Sequence, residues 1–281
     1  IKDLAQHASE IASRFFGGPS AKLAVTGITG TNGKTTTAWL VAQALSRCRL
    51  PAAYMGTLGV GRAPEAIVPG EYTTADAVSV QRQLAAMQAA GAQCVAMEVS
   101  SHALVMHRVA GCRFTVAVFT NLGRDHLDLH GTVEQYFAAK ARLFRPDLCE
   151  RAVVNVDDVH GRILLDAAEV PTIGFSLDEV DDLHVTPMWH RYRWRGRTVQ
   201  VPIGGRHNAY NSLAAATAAE ALGVDLDSIV DGLAAARPVP GRFESIASTR
   251  QFSVIVDYAH TPDGLEAALA AAREGCEGRV I

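Results

Sequence analysis

The sequence predicts an α/β protein whose main sheet is mainly parallel and flanked by helices. Three observations predict this fold class. Short apolar runs typical of buried strands alternate with longer helical stretches, as in βαβ units. One of these strands leads through a glycine-rich loop, residues 30–36, directly into a helix. Hydrophobic residues make up 48% of the chain and aromatic residues only 6%, which argues against a disordered or fibrous protein.

The first half of the chain supplies most of the predicted sheet. Three apolar runs are nearly continuous, which is typical of strands buried on both faces. Gly17, Gly18 and Pro19 end the first helix, and a segment rich in Gly and Pro predicts a loop over 56–70. The predicted helices cover 1–16, 37–45 and 75–90, and the predicted strands cover 23–28, 94–99, 114–119 and 152–155.

The second half breaks this alternation. Apolar and polar residues alternate over 182–203, which predicts a small antiparallel hairpin insert with one face in water. Helices are predicted over 211–222, 226–236 and 261–273, and strands over 252–256 and from Arg279 onwards. Because a single crossover cannot form an independent domain, we predict that the chain stops inside a second domain of a longer protein.

Composition and charge argue against several classes of protein. The formal charge is −3, from 26 basic and 29 acidic residues, which argues against nucleic acid as the main partner. No apolar run approaches the roughly 18–20 residues of a membrane span, and the first residues do not resemble a secretory signal. Five scattered cysteines without a CxxC pair are typical of reduced thiols. We therefore expect a cytoplasmic protein that binds no membrane, and a monomer.

The loop Gly30-Thr31-Asn32-Gly33-Lys34-Thr35 is the strongest chemical signal. Its glycines allow backbone N–H groups to surround phosphate oxygens, Lys34 can reach the outer phosphates, and the Thr35 hydroxyl can bind Mg²⁺. The common spacing places a glycine where this chain has Ile28. The alternative is a glycine-rich turn with a solvated lysine.

Polar residues also follow two of the predicted strands. Glu98 ends one strand and precedes Ser100 and His102, while Asn121 ends the next and precedes the run 124–128. Ligands of open parallel sheets bind beyond the carboxyl ends of the strands, so Glu98 is placed to hold a metal ion bound to phosphates. Taken singly, each of these residues could equally be an ordinary polar group of a loop.

Thr132 begins a capping box for a helix predicted to run through Phe144. Lys140 lies in the middle of its apolar stripe, where an unpaired ammonium is costly, so the amine should be neutralised, paired or modified. From the helix alone, we favour a lysine stem that extends its amine into water. Elsewhere, Asn208 and Asn211 share a helix face. Taken singly, four residues suit ordinary structural roles, namely helix capping by Asn208 and Asn211, a surface side chain for Arg242 and a cap at a strand end for Asp257.

Five ordered blocks together resemble the Mur ligase family, and the resemblance covers essentially the whole chain. It is strongest to those members that add the third residue of the peptidoglycan stem peptide. The blocks are the phosphate-loop residues 30–36, Met97-Glu98-Val99-Ser100-Ser101-His102, residues 120–128, Tyr136-Phe137-Ala138-Ala139-Lys140 and Asp257-Tyr258-Ala259-His260-Thr261-Pro262.

The resemblance implies an ATP-dependent amide ligase. In that family, ATP phosphorylates the carboxylate of a UDP-MurNAc-dipeptide, and the amine of an amino acid, meso-diaminopimelate or lysine, attacks the acyl phosphate. Family members have three domains. The resemblance therefore implies a linker helix over 1–20, a central ATP-binding domain over 21–245, and the start of a Rossmann-like C-terminal domain over 246–281.

The resemblance also implies roles for individual residues. Two Mg²⁺ ions are expected, and Lys140 matches a lysine that the family carbamylates with CO₂, which reverses the expectation from the helix alone. Lys34, His126 and Lys140 match catalytic positions. The implied ATP-binding residues are Gly30, Thr31, Asn32, Gly33, Lys34, Thr35, Thr36, Asn208, Asn211, Arg242 and Asp257. The implied metal ligands are Thr35, Glu98, His126 and Lys140, and the implied substrate-binding residues are Thr73, Thr74, Ser100 and Arg108.

Two neighbours depart from the family pattern, because Tyr72 replaces a frequent Asn and Met106 a frequent Gln. These departures concern substrate contacts and leave the ATP chemistry untouched. Two other functions stay open. One is a related ligase that acts on another acid, as folylpolyglutamate synthase does, and the other is a nucleotide-binding module that is inactive alone.

Overall fold

The computed structural model describes residues 3–246, 252–274, 276 and 278–281. Its helices are α1 (Leu4–Phe15), α2 (Lys34–Arg47), α3 (Ala77–Ala89), α4 (Ser101–Val105), α5 (Leu127–His130), α6 (Val133–Ala141), α7 (Val159–Asp166), α8 (Arg206–Ala221), α9 (Leu226–Ala234) and α10 (Pro262–Glu274). Its strands are β1 (Ala24–Thr29), β2 (Ala52–Gly56), β3 (Gly59–Arg62), β4 (Ala66–Val68), β5 (Cys94–Glu98), β6 (Val116–Phe119), β7 (Ala152–Asn155), β8 (Thr172–Phe175), β9 (Asp181–Val185), β10 (His190–Trp194), β11 (Arg197–Val201), β12 (Glu244–Ile246) and β13 (Val254–Val256).

The main sheet has the strand order β4-β3-β2-β5-β1-β6-β7-β8. The six strands from β2 to β8 in this order are parallel, whereas β3 and β4 run antiparallel at one edge. The predicted parallel sheet flanked by helices is therefore confirmed. The carboxyl ends of β5, β1 and β6 meet at one edge of the sheet, and the glycine-rich loop follows β1 there.

The loop predicted over 56–70 is wrong in part, because β3 and β4 lie within it. Gly59 and Gly61 have φ values of 125° and 147°, and a Cβ on either would lie within 2.2 Å of a carbonyl oxygen of the neighbouring strand. Glycines weaken the apolar signal of a strand, although here they permit the close approach of two backbones. The sequence analysis also missed the strand β2.

Helices cover both faces of the sheet and divide the core into two clusters. On one face, α2 lies between the sheet and the pair α8 and α9, so that residues 35–45 of α2 are all buried. The small side chains of α8, mostly alanines, allow this close packing. On the other face, α3, α4 and α7 pack over the second cluster.

The predicted hairpin over 182–203 is confirmed and contains a third strand. The order is β11-β10-β9, and residues of β10 alternate between buried and exposed, which gives the expected single wet face. Beyond it, β12 and β13 pair antiparallel and α10 follows. Arg279–Ile281 form no strand within the described residues, which corrects that expectation. No described helix combines the length and apolar character needed to span a bilayer.

Candidate active site

The glycine-rich loop connects β1 to α2 at the carboxyl edge of the sheet, as predicted. Gly33 caps α2 with φ 86°, and a Cβ there would lie 2.3 Å from Asn211 Oδ1. The end of β6 anchors the loop, because the Thr31 amide donates to the Asn121 carbonyl and the Asn32 amide to Asn121 Oδ1, both at 2.9 Å. The loop backbone is thus held in place by neighbours on two sides.

Two lysines converge on this loop. Lys34 Nζ donates to the carbonyl oxygens of Gly30 and Thr31 at 3.0 and 2.9 Å, and Lys140 Nζ donates to the Gly30 oxygen at 2.8 Å. Only 1% of Lys140 is exposed, and its amine lies 4.5 Å from the centre of the Tyr136 ring. A lysine that reaches water, the expectation from the helix alone, is therefore wrong.

Burial shifts the pKa of both amines downward. It lowers the pKa of Lys140 well below its usual value, and the positive charge of Lys34 lowers this pKa further. Burial also lowers the pKa of Lys34, against the raising effect of Glu98 and Asp125. Among the described residues, neither amine lies within 4.0 Å of a carboxylate.

The helix α6, which carries Lys140, is capped as predicted, since Thr132 Oγ1 accepts from the Gln135 amide. The α-helix ends at Ala141, and a 3₁₀ turn continues to Phe144.

The Glu98 carboxylate is fully buried beside the start of α2. It accepts hydrogen bonds from Thr35 Oγ1 at 2.9 Å, the Thr57 amide at 2.9 Å and Thr57 Oγ1 at 3.2 Å, and also from the Tyr54 hydroxyl. Arg242 donates to Thr35 Oγ1 at 3.4 Å from the opposite side. The carboxylate and the loop threonine predicted to bind a metal ion are therefore in contact.

This donor set fits Mg²⁺, which prefers carboxylate, hydroxyl and phosphate oxygens and keeps several waters. The Glu98 side chain is buried without a described ion pair, and a divalent cation beside Thr35 would compensate the charge of a carboxylate there. In the described part of the chain, no three His, Cys, Asp or Glu side chains form a group that could hold a metal ion by themselves. Phosphate oxygens and water would therefore complete the coordination, as at other phosphate-bound magnesium sites.

His126 lies on the loop before α5 with a left-handed backbone, φ 51°. Its ring is 4.8 Å from that of His102, and its Nε2 is 3.4 Å from a carboxylate oxygen of Asp125. Burial lowers the pKa of His126; Asp125 raises it, and the neighbouring His102, Lys34 and Lys140 lower it. His126 thus contacts His102 and Asp125, and its role as a metal ligand stays a prediction.

A cavity of about 280 Å³ opens beside the glycine-rich loop and brings together residues from distant parts of the sequence. Asn211 Nδ2 donates to Asn208 Oδ1 at 2.9 Å, and Asn208 Nδ2 donates to the Gly204 carbonyl at 2.7 Å. Both asparagines are buried, whereas Asp257 is exposed and accepts from the Phe243 amide at 2.6 Å. Residues predicted to bind ATP that line this cavity are Asn32, Gly33, Thr36, Asn208, Asn211, Arg242 and Asp257.

The four residues predicted to bind substrate form a second group next to Glu98. Thr74 Oγ1 donates to the Glu98 carbonyl at 2.9 Å and accepts from the Ser100 amide at 3.0 Å. Arg108 donates to the Thr74 carbonyl at 2.9 Å. The Thr73 hydroxyl lies 3.0 Å from the hydroxyl of Thr57, which in turn contacts the Glu98 carboxylate. The two substitutions noted in the sequence lie alongside, because Arg108 contacts both the Tyr72 ring and Met106 Sδ.

Family models match most of the chain. The model described as the Mur ligase middle domain matches residues 28–219, and the model described as Mur ligase, glutamate ligase domain, matches residues 241–281. The chain belongs to the Mur ligase family. The family resemblance seen in the sequence is therefore confirmed.

Several relatives of this Mur ligase chain are named UDP-N-acetylmuramoyl-L-alanyl-D-glutamate–2,6-diaminopimelate ligase. The protein from Alkalilimnicola ehrlichii is 47% identical over 293 residues, which cover 100% of this chain and 59% of the relative. The protein from Coxiella burnetii is 39% identical, with 100% of this chain and 60% of the relative covered. The chain thus spans about three fifths of the length of these relatives.

Solved structures confirm the fold of this Mur ligase chain. A structure of a ligase with the same name superposes with a TM-score of 0.84 at 34% identity, covering 97% of this chain and 58% of the other. A folylpolyglutamate synthase of Mycobacterium tuberculosis, solved with ADP and AMPPCP, gives a TM-score of 0.77 at 20% identity, covering 96% and 71%. The second likeness concerns the fold alone.

Some residues that support the site of this Mur ligase were not predicted from its sequence. Tyr54 and Thr57 hold the Glu98 carboxylate, but they lie in and after a strand that was not predicted. Tyr136 was named only within the block of residues 136–140 that resembles the family, whereas its hydroxyl lies 3.2 Å from Thr31 Oγ1. Its place four residues before Lys140, on the same helix face, was a usable signal.

Proposed function

We propose that this chain supplies the nucleotide-binding part of an ATP-dependent carbon–nitrogen ligase of peptidoglycan precursor synthesis. Its substrates would be ATP, UDP-MurNAc-L-Ala-D-Glu and meso-diaminopimelate. The observation that carries the proposal is the convergence of Lys34, Lys140 and Glu98 around one loop, next to a cavity lined by Asn208 and Asn211. The names of the relatives support the choice of substrates and of diaminopimelate over lysine.

The cavity supports ATP binding with the adenosine between α8 and the segment around Asp257. Asn208 and Asn211 offer amide groups toward the base, and the exposed Asp257 carboxylate can accept hydrogen bonds from ribose hydroxyls. The phosphates would then follow the loop from Gly30 to Thr36, where backbone N–H groups and the start of α2 favour negative charge. Lys34 and Arg242 flank Thr35 and would neutralise the outer phosphates.

Thr35 and Glu98 would hold one Mg²⁺ ion and His126 and Lys140 a second. Bound there, the metal ions would neutralise the charge that develops on the transferred phosphoryl group. The contact between Thr35 and Glu98 supports the first site. Phosphoryl transfer needs mainly positioning and charge neutralisation, which the loop lysines and backbone supply.

Carbamylation of Lys140 would place a negative charge next to Lys34 at the loop. The neutral amine, favoured by burial, attacks CO₂ to give a carbamate and releases one proton. The neutral amine thereby becomes an anion beside Lys34, which adds attraction to the Lys34 ammonium group. An anionic Lys140 could also take part in metal binding, which an ammonium cannot.

The reaction would begin when the dipeptide carboxylate attacks the γ-phosphorus of ATP, forming an acyl phosphate and ADP. The amine of diaminopimelate then attacks the acyl carbon, and the tetrahedral intermediate collapses to an amide and inorganic phosphate. Thr73, Thr74, Ser100 and Arg108 would hold the muramoyl dipeptide, since they lie together beside Glu98. The carboxylate would thereby lie next to the outer phosphate.

We further propose the domain boundaries inferred from the sequence: a linker helix over 1–20, the central domain over 21–245 and the start of the C-terminal domain over 246–281. The match to the middle-domain model, residues 28–219, lies within the proposed central domain, and the match to the glutamate ligase domain model starts at residue 241, shortly before the proposed boundary. We place the protein in the cytoplasm as a monomer, where ATP is available.

The test is a ligation assay with the chain joined to the remaining length of such a relative. Release of phosphate and formation of the tripeptide product from UDP-MurNAc-L-Ala-D-Glu, ATP and diaminopimelate are expected, with little product from lysine. The alternative is a ligase that acts on another acid, and a folylpolyglutamate synthase shares the fold. A parallel assay with a folate substrate and glutamate tests this alternative. Turnover of folate but not of the muramoyl dipeptide would overturn the proposal.

The isolated chain should bind ATP without ligation, because it spans only about three fifths of its relatives. This agrees with the alternative of a nucleotide-binding module that is inactive alone. A chimaera that remains inactive while it binds ATP would favour that alternative for the whole protein.

A further inference from the structure

A second cavity lies at the amino edge of the sheet, far from the nucleotide loop. α2 begins at the loop with Lys34 and ends at Arg47, and 14 residues at 1.5 Å each span roughly 20 Å. The cavity has a volume of about 460 Å³ and lies beside Pro51, which precedes β2. We call it the arginine cavity, because its walls carry the arginines Arg47, Arg49, Arg62 and Arg237.

The arginine cavity concentrates positive charge in a chain that is negative overall. Four separate segments supply its arginines: the end of α2, the turn after it, the end of β3 and the segment after α9. Glu65 is the one carboxylate on its described walls, while the whole chain carries −3. Among the described residues, none of the four guanidinium groups forms an ion pair within 4.0 Å.

The walls of the cavity are fixed by buried contacts. Gln43 is 5% exposed, and its amide bonds the backbone of Arg237 twice: Nε2 donates to the carbonyl at 3.1 Å, and Oε1 accepts from the N–H at 2.9 Å. Ser46 Oγ accepts from the amide of Ala52 at the start of β2, at 3.3 Å. α2 is thus joined to the start of β2 and to the backbone of Arg237 at the cavity.

A role in stability explains only part of this arrangement. Arg47 lies in the last turn of α2, where a cation interacts favourably with the helix dipole. Arg49, Arg62 and Arg237 do not end a helix in this way, and none of them forms a described ion pair, although Glu65 also lines the cavity. All four arginines are exposed, so the basic walls of the cavity are accessible to an anion from solution.

We propose that the arginine cavity binds a small anion that carries two or more phosphate groups. Guanidinium groups match phosphate oxygens in pairs of parallel hydrogen bonds, and several guanidinium groups favour a multiply charged anion. The concave shape and the volume suit a small molecule, whereas nucleic acid or a membrane would require an extended basic surface. The site is separate from the nucleotide loop, and it goes beyond the proposed ligase activity.

Calorimetry with inorganic tripolyphosphate tests the proposal. The titration uses the Lys34→Ala variant of the chain, so that the nucleotide loop contributes little, at about 0.15 M salt, where weak surface attraction is screened. One bound tripolyphosphate per chain is expected. Adding Arg47→Gln and Arg62→Gln should weaken it at least about tenfold, because each lost charged hydrogen bond contributes to binding.

The matched control adds Arg14→Gln and Arg191→Gln, which remove the same charge from exposed positions outside the cavity. Equal weakening in both double variants, or no binding of tripolyphosphate in the Lys34→Ala chain, would overturn the proposal. Circular dichroism checks that each variant folds, and the single Arg237→Gln variant provides a second test if a double variant does not. Tighter binding of citrate or of an oligonucleotide than of tripolyphosphate would also contradict it.

Discussion

Lys34 and Lys140 donate hydrogen bonds to the same carbonyl oxygen, that of Gly30, at 3.0 and 2.8 Å. Lys34 belongs to the start of α2 and Lys140 belongs to α6, so side chains from two helices hold the loop. Burial lowers the pKa of each amine, and the charge of Lys34 lowers the pKa of Lys140 further, which favours a neutral amine at Lys140. On nucleotide binding, we expect Lys34 to exchange a carbonyl contact for a phosphate oxygen. On carbamylation, we expect the Lys140 amine to become an anionic group.

Lys34→Ala should greatly weaken the binding of a non-hydrolysable ATP analogue. The loss of charged hydrogen bonds to phosphate costs about 1.5–3 kcal/mol, or roughly ten- to a hundredfold in affinity. Isothermal calorimetry measures the change. Lys22→Ala is the matched control, because Lys22 is exposed outside the loop and should leave the affinity unchanged. Equal affinity in wild type and Lys34→Ala would refute the phosphate-loop assignment.

Lys140 should carry an added carboxylate when the protein is held in CO₂. Intact mass, or the NMR signal of isotopically labelled carbamate, measures the modification without any assay of activity. The neutral amine needed for the reaction is favoured by its burial and by Lys34. Lys140→Ala should lose both the signal and, in the complete ligase, the activity, and short carboxylates should restore part of that activity. An unmodified amine under CO₂ in the wild-type protein would contradict the prediction.

Polar residues of the site, such as Glu98, could be predicted from the sequence more readily than residues that hold them, such as Tyr54. Glu98 could be placed because a polar residue at the end of an apolar run is unusual and the carboxyl ends of parallel strands share an edge. The buried state of Lys140 could not be derived from its helix alone, because burial depends on the loop and Tyr136 packing over it. Tyr54 was missed since its strand is short and contains two alanines and a terminal glycine, which give a weak strand pattern.

Gly33→Ala should weaken nucleotide binding more than its backbone strain explains. Gly33 and Gly223 both have φ 86°, so an alanine at either position costs about 1–2 kcal/mol of stability. A Cβ at Gly33 would also lie 2.3 Å from Asn211 Oδ1, whereas one at Gly223 meets no atom within 4 Å. Calorimetry with the ATP analogue should therefore show reduced affinity only for Gly33→Ala. Equal affinities in the two variants would show that the contact with Asn211 plays no part in binding.

Tyr54→Phe should destabilise the fold by about 1–3 kcal/mol, because the buried Glu98 carboxylate loses a hydroxyl donor. The Leu58 amide also loses the hydroxyl as its acceptor. Urea unfolding measures the free energy of unfolding. Tyr72→Phe removes the same hydroxyl from a side chain that is 60% exposed and should change stability little. If the two variants prove equally stable, the hydroxyl does not support the carboxylate.

His190 should make the fold less stable as the pH falls. Burial lowers its pKa from 6.5 to about 4, and its ring nitrogens contact the Ile203 carbonyl at 2.6 Å and Ser212 Oγ at 2.7 Å. Between these two pKa values the unfolded chain binds a proton that the folded chain does not, so the free energy of unfolding decreases by about 3 kcal/mol from pH 7 to pH 4.

The contribution of His190 is isolated by comparing the wild type with His190→Gln across this pH range. The variant is less stable at pH 7, and because it cannot titrate at this position, the difference in free energy of unfolding should shrink by about 3 kcal/mol at pH 4. His184→Gln is the control, since His184 is exposed on the neighbouring strand β9 and its replacement should leave the pH dependence unchanged. A difference between wild type and His190→Gln that stays constant with pH would show that His190 is protonated equally in the folded and unfolded chains.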